Sequence, residues 1–286
     1  MLLACGWMFS AILCFCLLAV GARELSDSVS IFQTLFTRSA VGLLIVGGVL
    51  FYSQQLGALK TQRLGLHSFR HLAHFAAQYG WFMGLGALPL AQVFAIEFTV
   101  PIWTVLIAAL FLKEALSWNK ALALLLGSIS VWVIVQPTAP QSSETLWFSF
   151  VVLIAAIFFA IAHTATKALA STEPTWVIVF YMCLVQMLAA AVPAAISWSW
   201  PSLDGWLWLG AVSLSALGAH FSLTRAMNHT EVTTVVTLDY LRLPMIALVG
   251  VIFYEEAITT ALFIGFLLML LGNYIGSKKQ KSPSAQ

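Results

Sequence analysis

The stretch Glu97-Phe98-Thr99-Val100-Pro101 places an acid and a proline inside an apolar segment that runs on to Lys113-Glu114-Ala115. A similar stretch, Asp239-Tyr240-Leu241-Arg242-Leu243-Pro244, leads into an apolar run that closes with Glu255-Glu256-Ala257. Asp239 and Glu256 follow Glu97 and Glu114 by 142 residues, which is half of the 286-residue chain to within one residue. Acid, proline, apolar run and terminal Glu-Ala return in the same order, which predicts a duplicated protein.

The composition predicts that both copies lie in a membrane. Hydrophobic residues make up 61% of the chain and charged residues only 8%, whereas a soluble domain carries charge on about a quarter of its positions. The net charge of +2 is small and the basic residues are dispersed, so the sequence does not suggest a nucleic-acid partner. The four cysteines lack CxxC spacing, so we expect neither a metal site nor a cofactor.

Apolar runs of about 20 residues have the length that crosses a lipid bilayer as an α-helix. The chain contains ten such runs. They lie near 2–22, 30–52, 70–88, 90–112, 119–136, 145–167, 174–196, 205–227, 231–253 and 257–276. The predicted fold class is therefore an all-α integral membrane protein with ten transmembrane helices.

Basic residues predict the orientation, because positive charge near helix ends is retained on the cytoplasmic side. With the N-terminus inside, the inner connections and the C-terminal tail hold ten of the thirteen Lys and Arg residues. Tryptophans cluster near the predicted outer ends of the fifth to eighth helices, where amphipathic rings favour the interface. We therefore expect the N-terminus and the C-terminus to be cytoplasmic.

Ten helices and a 142-residue repeat give two five-helix repeats, and an odd number of spans per repeat inverts the second repeat. The predicted domains are a first repeat at 1–140, a second repeat at 141–276 and a basic cytoplasmic tail at 277–286. Inverted repeats recur in secondary transporters, where two halves around a midplane site exchange inward-open and outward-open shapes.

Short motifs in both halves resemble the ten-helix EamA-type transporters of the drug/metabolite transporter superfamily. The first half carries Leu88-Pro89-Leu90-Ala91-Gln92-Val93, Pro101 with Phe111-Leu112-Lys113-Glu114, and Gly127. The second half carries Ala226-Met227 before Glu231-Val232, Pro244 with Phe253-Tyr254-Glu255-Glu256, and two glycines, Gly265 and Gly272. In this family a glycine often precedes the glutamate, and this chain has Lys113 at that position. The resemblance implies a multi-pass metabolite carrier in an inner or plasma membrane.

Two acids are the first candidates for a substrate or proton pathway. Glu97 lies about eight residues into the fourth predicted helix and Asp239 about nine into the ninth, which places each about 12 Å deep at 1.5 Å per residue. Ionisable residues at that depth face a cavity, pair with a cation or exchange protons. A structural role, with each acid bonded to a neighbouring helix, is the alternative.

Two arginines complete the predicted charges of the site. Arg242 lies three residues after Asp239, so the two can form an ion pair on one helical face. That pair is either self-neutralising or loosened by a substrate that competes for the guanidinium. Arg38 either snorkels outward or reaches the cavity, and we expect it to be the partner of Glu97.

Proline and polar residues supply further candidates. Pro101 and Pro244 lack an amide proton, so each is predicted to kink its helix. A role in gating or in shaping the helix is favoured, and the alternative is that a membrane helix simply tolerates proline. Tyr240 adjoins Asp239, and Gln78 precedes His220 by 142 residues, so these three are candidate pathway residues. A basic cluster at the predicted start of the third helix is expected to face cytoplasmic headgroups, and it contains His67, Arg70, His71 and His74. His163 is expected to be a solvated interfacial histidine.

The first functional hypothesis is a secondary carrier of small polar metabolites, amino-acid-like or zwitterionic, that works by alternating access. No ATP-binding loop is present, so protons are the expected coupling ion, with Glu97 or Asp239 as the titrating group. The alternatives are an uncoupled facilitator and an uptake carrier for a planar or nucleoside-like compound such as riboflavin or S-adenosylmethionine, which the resemblance admits. An intramembrane enzyme is disfavoured, because HExxH and Ser-elbow motifs are absent from the sequence. The sequence does not predict an oligomeric state.

Overall fold

The computed structural model describes residues 2–88, 90–113, 118–135, 142–254 and 260–277. These residues contain twelve α-helices and one short 3-10 helix at Leu56–Leu59. The helices are α1 Leu2–Leu25, α2 Ile31–Tyr52, α3 Leu64–Ala87, α4 Leu90–Glu97, α5 Val100–Phe111, α6 Trp118–Val135, α7 Ser143–Ala170, α8 Thr175–Ile196, α9 Leu203–His229, α10 Val232–Asp239, α11 Arg242–Tyr254 and α12 Thr260–Ser277.

Five of the helices, α1, α2, α7, α8 and α9, are long and apolar enough to cross a membrane. Their outer faces carry exposed large apolar side chains, for example Phe9, Leu13 and Leu17 at four-residue spacing along α1. Such a stripe would be costly against water and is favourable against lipid. The chain is therefore an all-α membrane protein.

Serine residues define the starts of three helices. Ser30, Ser142 and Ser202 precede α2, α7 and α9, and each side-chain oxygen accepts a hydrogen bond from the amide three residues later. These bonds satisfy amides that have no partner within the helix. Helix α3 begins at Leu64, six residues before the predicted start at Arg70.

The helices pack mainly in four pairs, and each pair approaches closely at a glycine. Helix α1 packs on α9, α2 on α8, α3 on α7 and α6 on α12. A Cβ atom at Gly21 would lie 2.6 Å from Val212, and one at Gly42 would lie 2.7 Å from Cys183 Sγ. Gly84 allows the same close approach between α3 and α7, and Gly272 allows it between α6 and α12. Small residues allow the close approach that holds helices together in lipid.

The fourth and ninth predicted helices are each broken in two. Helix α4 ends at Glu97 and α5 begins at Val100, while α10 ends at Asp239 and α11 begins at Arg242. Each interruption lies between the acid and the proline of its half, and a kink or a gating role of the prolines stays a prediction. Pro101 is the second residue of α5 and Pro244 the third of α11, positions in the first helical turn where a missing amide proton costs no internal bond.

Candidate functional site

The two helix breaks meet in the interior. Glu97 is the last residue of α4, and Arg242 is the first residue of α11. Arg242 Nη2 donates to Glu97 Oε1 at 2.5 Å and to Asp239 Oδ2 at 2.9 Å. The side chains of Arg242, Glu97 and Asp239 are 7%, 8% and 15% exposed. One guanidinium group therefore binds two carboxylates from the ends of two broken helices.

Aromatic rings surround this ion-paired group. Trp81 Nε1 donates to the second oxygen of Glu97 at 2.6 Å. The guanidinium carbon of Arg242 lies 4.9 Å from the ring centre of Phe15 and 5.4 Å from that of Phe98, within the range of a cation–π interaction. Asp239 Oδ1 and Arg242 Nε are buried without a hydrogen-bond partner in the described residues, so the group retains unused capacity for polar contacts.

The group lines a small pocket, called the cavity below, with a volume of about 40 Å³. Helices α1, α3, α5, α7 and α9 complete the wall with aromatic and apolar residues that include Phe15, Trp81, Phe98, Pro101 and Phe159. The polar residues of the wall are His74, Gln78, Glu97, His163, His220, Asp239 and Arg242. The cavity therefore has an ion-paired region at the helix breaks and a region of histidine and amide groups.

Arg38 does not contact Glu97, so the predicted pair is wrong. Arg38 Nη2 donates to Gln78 Oε1 and to Gln186 Oε1, each at 2.8 Å. Gln186 Nε2 and His74 Nδ1 lie 2.7 Å apart. Sequence reasoning paired each acid with an arginine of its own half, whereas Arg242 binds both acids.

The predicted ion pair between Asp239 and Arg242 is present, and Gln78 and His220 lie in the cavity wall. Tyr240 lies beside Asp239 in sequence but outside the cavity lining, where it is 1% exposed and stacks on Phe98 with ring centres 5.6 Å apart. Pro101 lines the cavity. Pro244 instead lines a separate apolar groove between α1, α11 and α12.

The basic cluster of α3 is buried, so its predicted contact with headgroups is wrong. His67, Arg70, His71 and His74 are each at most 1% exposed. Arg70 Nε donates to Thr166 Oγ1 at 2.7 Å, which ties the cluster to α7. His163, predicted to be solvated at the interface, lines the cavity instead.

Sequence reasoning missed Trp81 and the aromatic wall, because an aromatic residue in an apolar helix carries no signal of the face it occupies. Glu114 and Glu256, predicted to close equivalent helices, lie outside the described residues, as does the tail from 278 to 286.

A helical membrane protein with a buried, ion-paired cavity at two broken helices has the architecture of a transport protein. The sequence model of the EamA-like transporter family matches residues 2–136 and 146–277. The chain belongs to this family of the drug/metabolite transporter superfamily, and it is a multi-pass metabolite transporter and not an enzyme.

Similar proteins include transporters with different named substrates. The S-adenosylmethionine uptake transporter of Rickettsia bellii is 26% identical over 83% of this chain and 78% of its own length. The pseudopaline exporter of Pseudomonas aeruginosa is 27% identical over 91% of this chain and 90% of its own length. The riboflavin transporter of Brucella anthropi is 27% identical over 78% of this chain and 81% of its own length. A crystal structure at 21% identity superposes with a TM-score of 0.80 over 96% of each chain, which supports the fold.

Proposed function

We propose that this chain is a secondary active transporter of small zwitterionic metabolites, amino-acid-like compounds first among them, and that protons drive it. The observation that carries the proposal is the ion-paired group of Glu97, Arg242 and Asp239 in the wall of a central cavity. Ionisable groups at such depth in a membrane protein mark substrate and ion pathways.

Alternating access between two inverted halves is supported by the helix packing. If α4 with α5 and α10 with α11 each count as one broken span, the chain has ten spans in two repeats, 1–140 and 141–276. A two-fold axis that exchanges the repeats would place α1 on α7 and α9 on α3, so the α1–α9 pair corresponds to the α7–α3 pair. The same axis would exchange the two members of the α2–α8 pair and the two members of the α6–α12 pair. These are the four closely packed helix pairs of the fold. Such repeats can rock about a shared site.

Proton coupling is supported by the charges of the group. Two carboxylates bind one guanidinium nitrogen, so the fully ionised group carries one net negative charge. A proton on either acid removes that charge, and Asp239 Oδ1 has no hydrogen-bond partner in the described residues. An incoming substrate ammonium group would compete with the proton for this oxygen, and that competition would couple the two movements.

The alternative substrate class is a planar or nucleoside-like compound. The aromatic side chains of Phe15, Phe98 and Phe159 in the cavity wall favour this alternative, since such rings can stack on a planar substrate. The named substrates of two relatives, S-adenosylmethionine and riboflavin, are of this kind. An uncoupled facilitator would use the same cavity without a proton step.

The proposed setting is the inner (plasma) membrane with both termini in the cytoplasm. The connection from α2 to α3 would then be cytoplasmic, and it contains Lys60 and Arg63. The turn that begins with Ser197 and holds Trp198 and Trp200 would lie outside.

Ligand-dependent melting of the purified protein tests the substrate class. Amino acids, nucleosides, flavins and adenosyl compounds are each added at two pH values, and a ligand that binds only the folded state raises the melting temperature. We expect a zwitterionic ligand to raise it, and by less at the lower pH, because protons compete. The ligand found is then tested in proteoliposomes with and without an imposed pH gradient. Uptake that only equilibrates the ligand, and that the imposed pH gradient does not change, would contradict proton coupling and leave the facilitator.

A further inference from the structure

Two buried arginines form no ion pair with any acid of the described residues. Arg38 and Arg70 are 3% and 1% exposed. Both ion pairs that the described residues form at the cavity belong to Arg242, and neither Arg38 nor Arg70 forms an ion pair with a described carboxylate. Burial of a charge is costly unless an opposite charge compensates it. Within the part of the chain that the structure describes, no carboxylate therefore compensates the positive charge of these two arginines.

The hydrogen-bond partners of Arg38 are the neutral amide oxygens of two glutamines. Its Nη2 atom donates to the side-chain oxygens of Gln78 and Gln186 at 2.8 Å each, while Nη1 is buried without a partner in the described residues. Both ring nitrogens of His220 are likewise buried without a hydrogen bond. Gln78 and His220 line the cavity, whereas Arg38 lies behind Gln78, to which it is hydrogen-bonded.

The hydrogen bonds hold two neighbouring histidines in the neutral form. Arg70 Nη1 lies 2.8 Å from His71 Nδ1, and because a guanidinium only donates, this ring nitrogen accepts. The Gln186 oxygen accepts from Arg38, so its amide nitrogen donates to His74 Nδ1. His71 and His74 therefore each carry their proton on Nε2, so the positive charge next to them resides on Arg38 and Arg70.

We propose that Arg38 and His220 form a subsite for a carboxylate group of the transported metabolite. His220 packs edge-on against His74 with ring centres 4.5 Å apart, and Gln186 links His74 to Arg38, so the two donors belong to one connected cluster. A carboxylate has two oxygens, one for Arg38 and one for a nitrogen of His220. It replaces the Gln78 oxygen on Arg38, because the guanidinium attracts a charged carboxylate more strongly than a neutral amide oxygen.

The subsite deepens the proposed function and rests on it, because it takes the metabolite through the same cavity. The group at the helix breaks would bind the ammonium end of a zwitterion, and the Arg38 subsite would bind its carboxylate end. The two ends of the cavity then define the substrate by charge: a carboxylate at one end and a cationic nitrogen at the other.

Acetate tests the subsite directly. Melting of the purified full chain is followed as sodium acetate, sodium phosphate or sodium chloride is added at equal ionic strength. We expect acetate, but not chloride, to raise the melting temperature of the parent protein. Arg38→Gln should raise the apparent Kd for acetate by about tenfold or more, as expected for the loss of a charge-assisted hydrogen bond. Lys60→Gln removes a positive charge from an exposed position and should respond as the parent does.

Gln78→Glu keeps the test decisive if Arg38→Gln does not fold. It supplies a carboxylate at the position of the amide oxygen, so it should raise the melting temperature without ligand and abolish the response to acetate. The proposal is overturned if the parent does not respond to acetate, if phosphate stabilises the parent and acetate does not, or if Gln78→Glu responds as the parent does. An equal response of folded Arg38→Gln and parent overturns it as well. These melting measurements need no proton gradient. If gradient-driven transport is absent while the response to acetate is intact, that result contradicts proton coupling and not the carboxylate subsite.

Discussion

Arg242 Nη2 lies 2.5 Å from Glu97 Oε1, although the two residues are 145 positions apart in the chain. Glu97 ends α4 and Arg242 begins α11, so one ion pair joins the breaks of two helices that belong to different halves of the sequence. Any movement that separates the halves at this level must stretch or exchange that contact. The pair is therefore well placed to couple the occupancy of the cavity to its shape.

The first prediction concerns the charge balance of this group. Arg242→Gln leaves Glu97 and Asp239 buried without their cation, and breaking a buried pair in this way costs about 3–5 kcal/mol. We expect a clear fall in the melting temperature of the purified protein and loss of transport. Adding Glu97→Gln to Arg242→Gln should recover part of the lost stability, and a double-mutant cycle measures the coupling. If Arg242→Gln melts as the parent does, the ion pair has no role in stability.

The second prediction concerns the break between α4 and α5. Pro101 lies in the first turn of α5, where proline costs little, so Pro101→Ala should change the melting temperature only slightly. Alanine lets α4 and α5 join into one helix, because it restores an amide donor and removes the ring that clashes with the preceding turn. We expect the initial rate of transport to fall severalfold while the folded protein is made in normal amounts. A parent-like rate would show that the break does not need the proline.

The third prediction concerns the contact between α6 and the second break. A Cβ atom at Gly127 would lie 2.6 Å from the ring of Tyr240, which follows Asp239. Gly127→Ala must therefore displace that ring, and we expect a lower melting temperature and slower transport.

Gly210→Ala is the matched control for Gly127→Ala. A Cβ atom at Gly210 meets nothing within 4 Å. This substitution should raise stability slightly, by about 0.5–1 kcal/mol, because alanine favours a helix over glycine. Equal effects of the two substitutions would contradict the packing of Tyr240 on α6.

Much of the helical layout was predictable from the sequence. Apolar runs of bilayer length lie within a few residues of the observed helices. In lipid the backbone N–H and C=O groups must be hydrogen-bonded within the protein, and a helix achieves this within one segment. The pair of Asp239 and Arg242 was predictable as well from their three-residue spacing, although the two residues lie on either side of a helix break and not in one helix. The repeat of acid and proline pointed to both helix breaks, although it suggested kinks.

The partners across the cavity were not predictable. In a chain that is 61% hydrophobic, no polar stripe separates the lipid-facing side of a helix from its buried side. The sequence therefore does not show which side of each helix faces the interior. For this reason Arg38 was paired with Glu97, and the histidines of α3 were assigned to the membrane surface. Their burial against α7 and α8 depends on long-range packing, which no local pattern records.

The most direct test of the account measures transport by Asp239→Asn in proteoliposomes, in two assays. Gradient-driven accumulation requires a proton to bind and leave, whereas counterflow of labelled for unlabelled substrate requires only the alternating cavity. Glu97→Gln is measured in parallel, and normal membrane insertion of each variant is checked first. We predict that at least one of the two variants, with Asp239→Asn the first expected, loses gradient-driven accumulation and retains counterflow. Accumulation at the parent's level by both variants would contradict the assignment of the proton site to the two acids at the helix breaks.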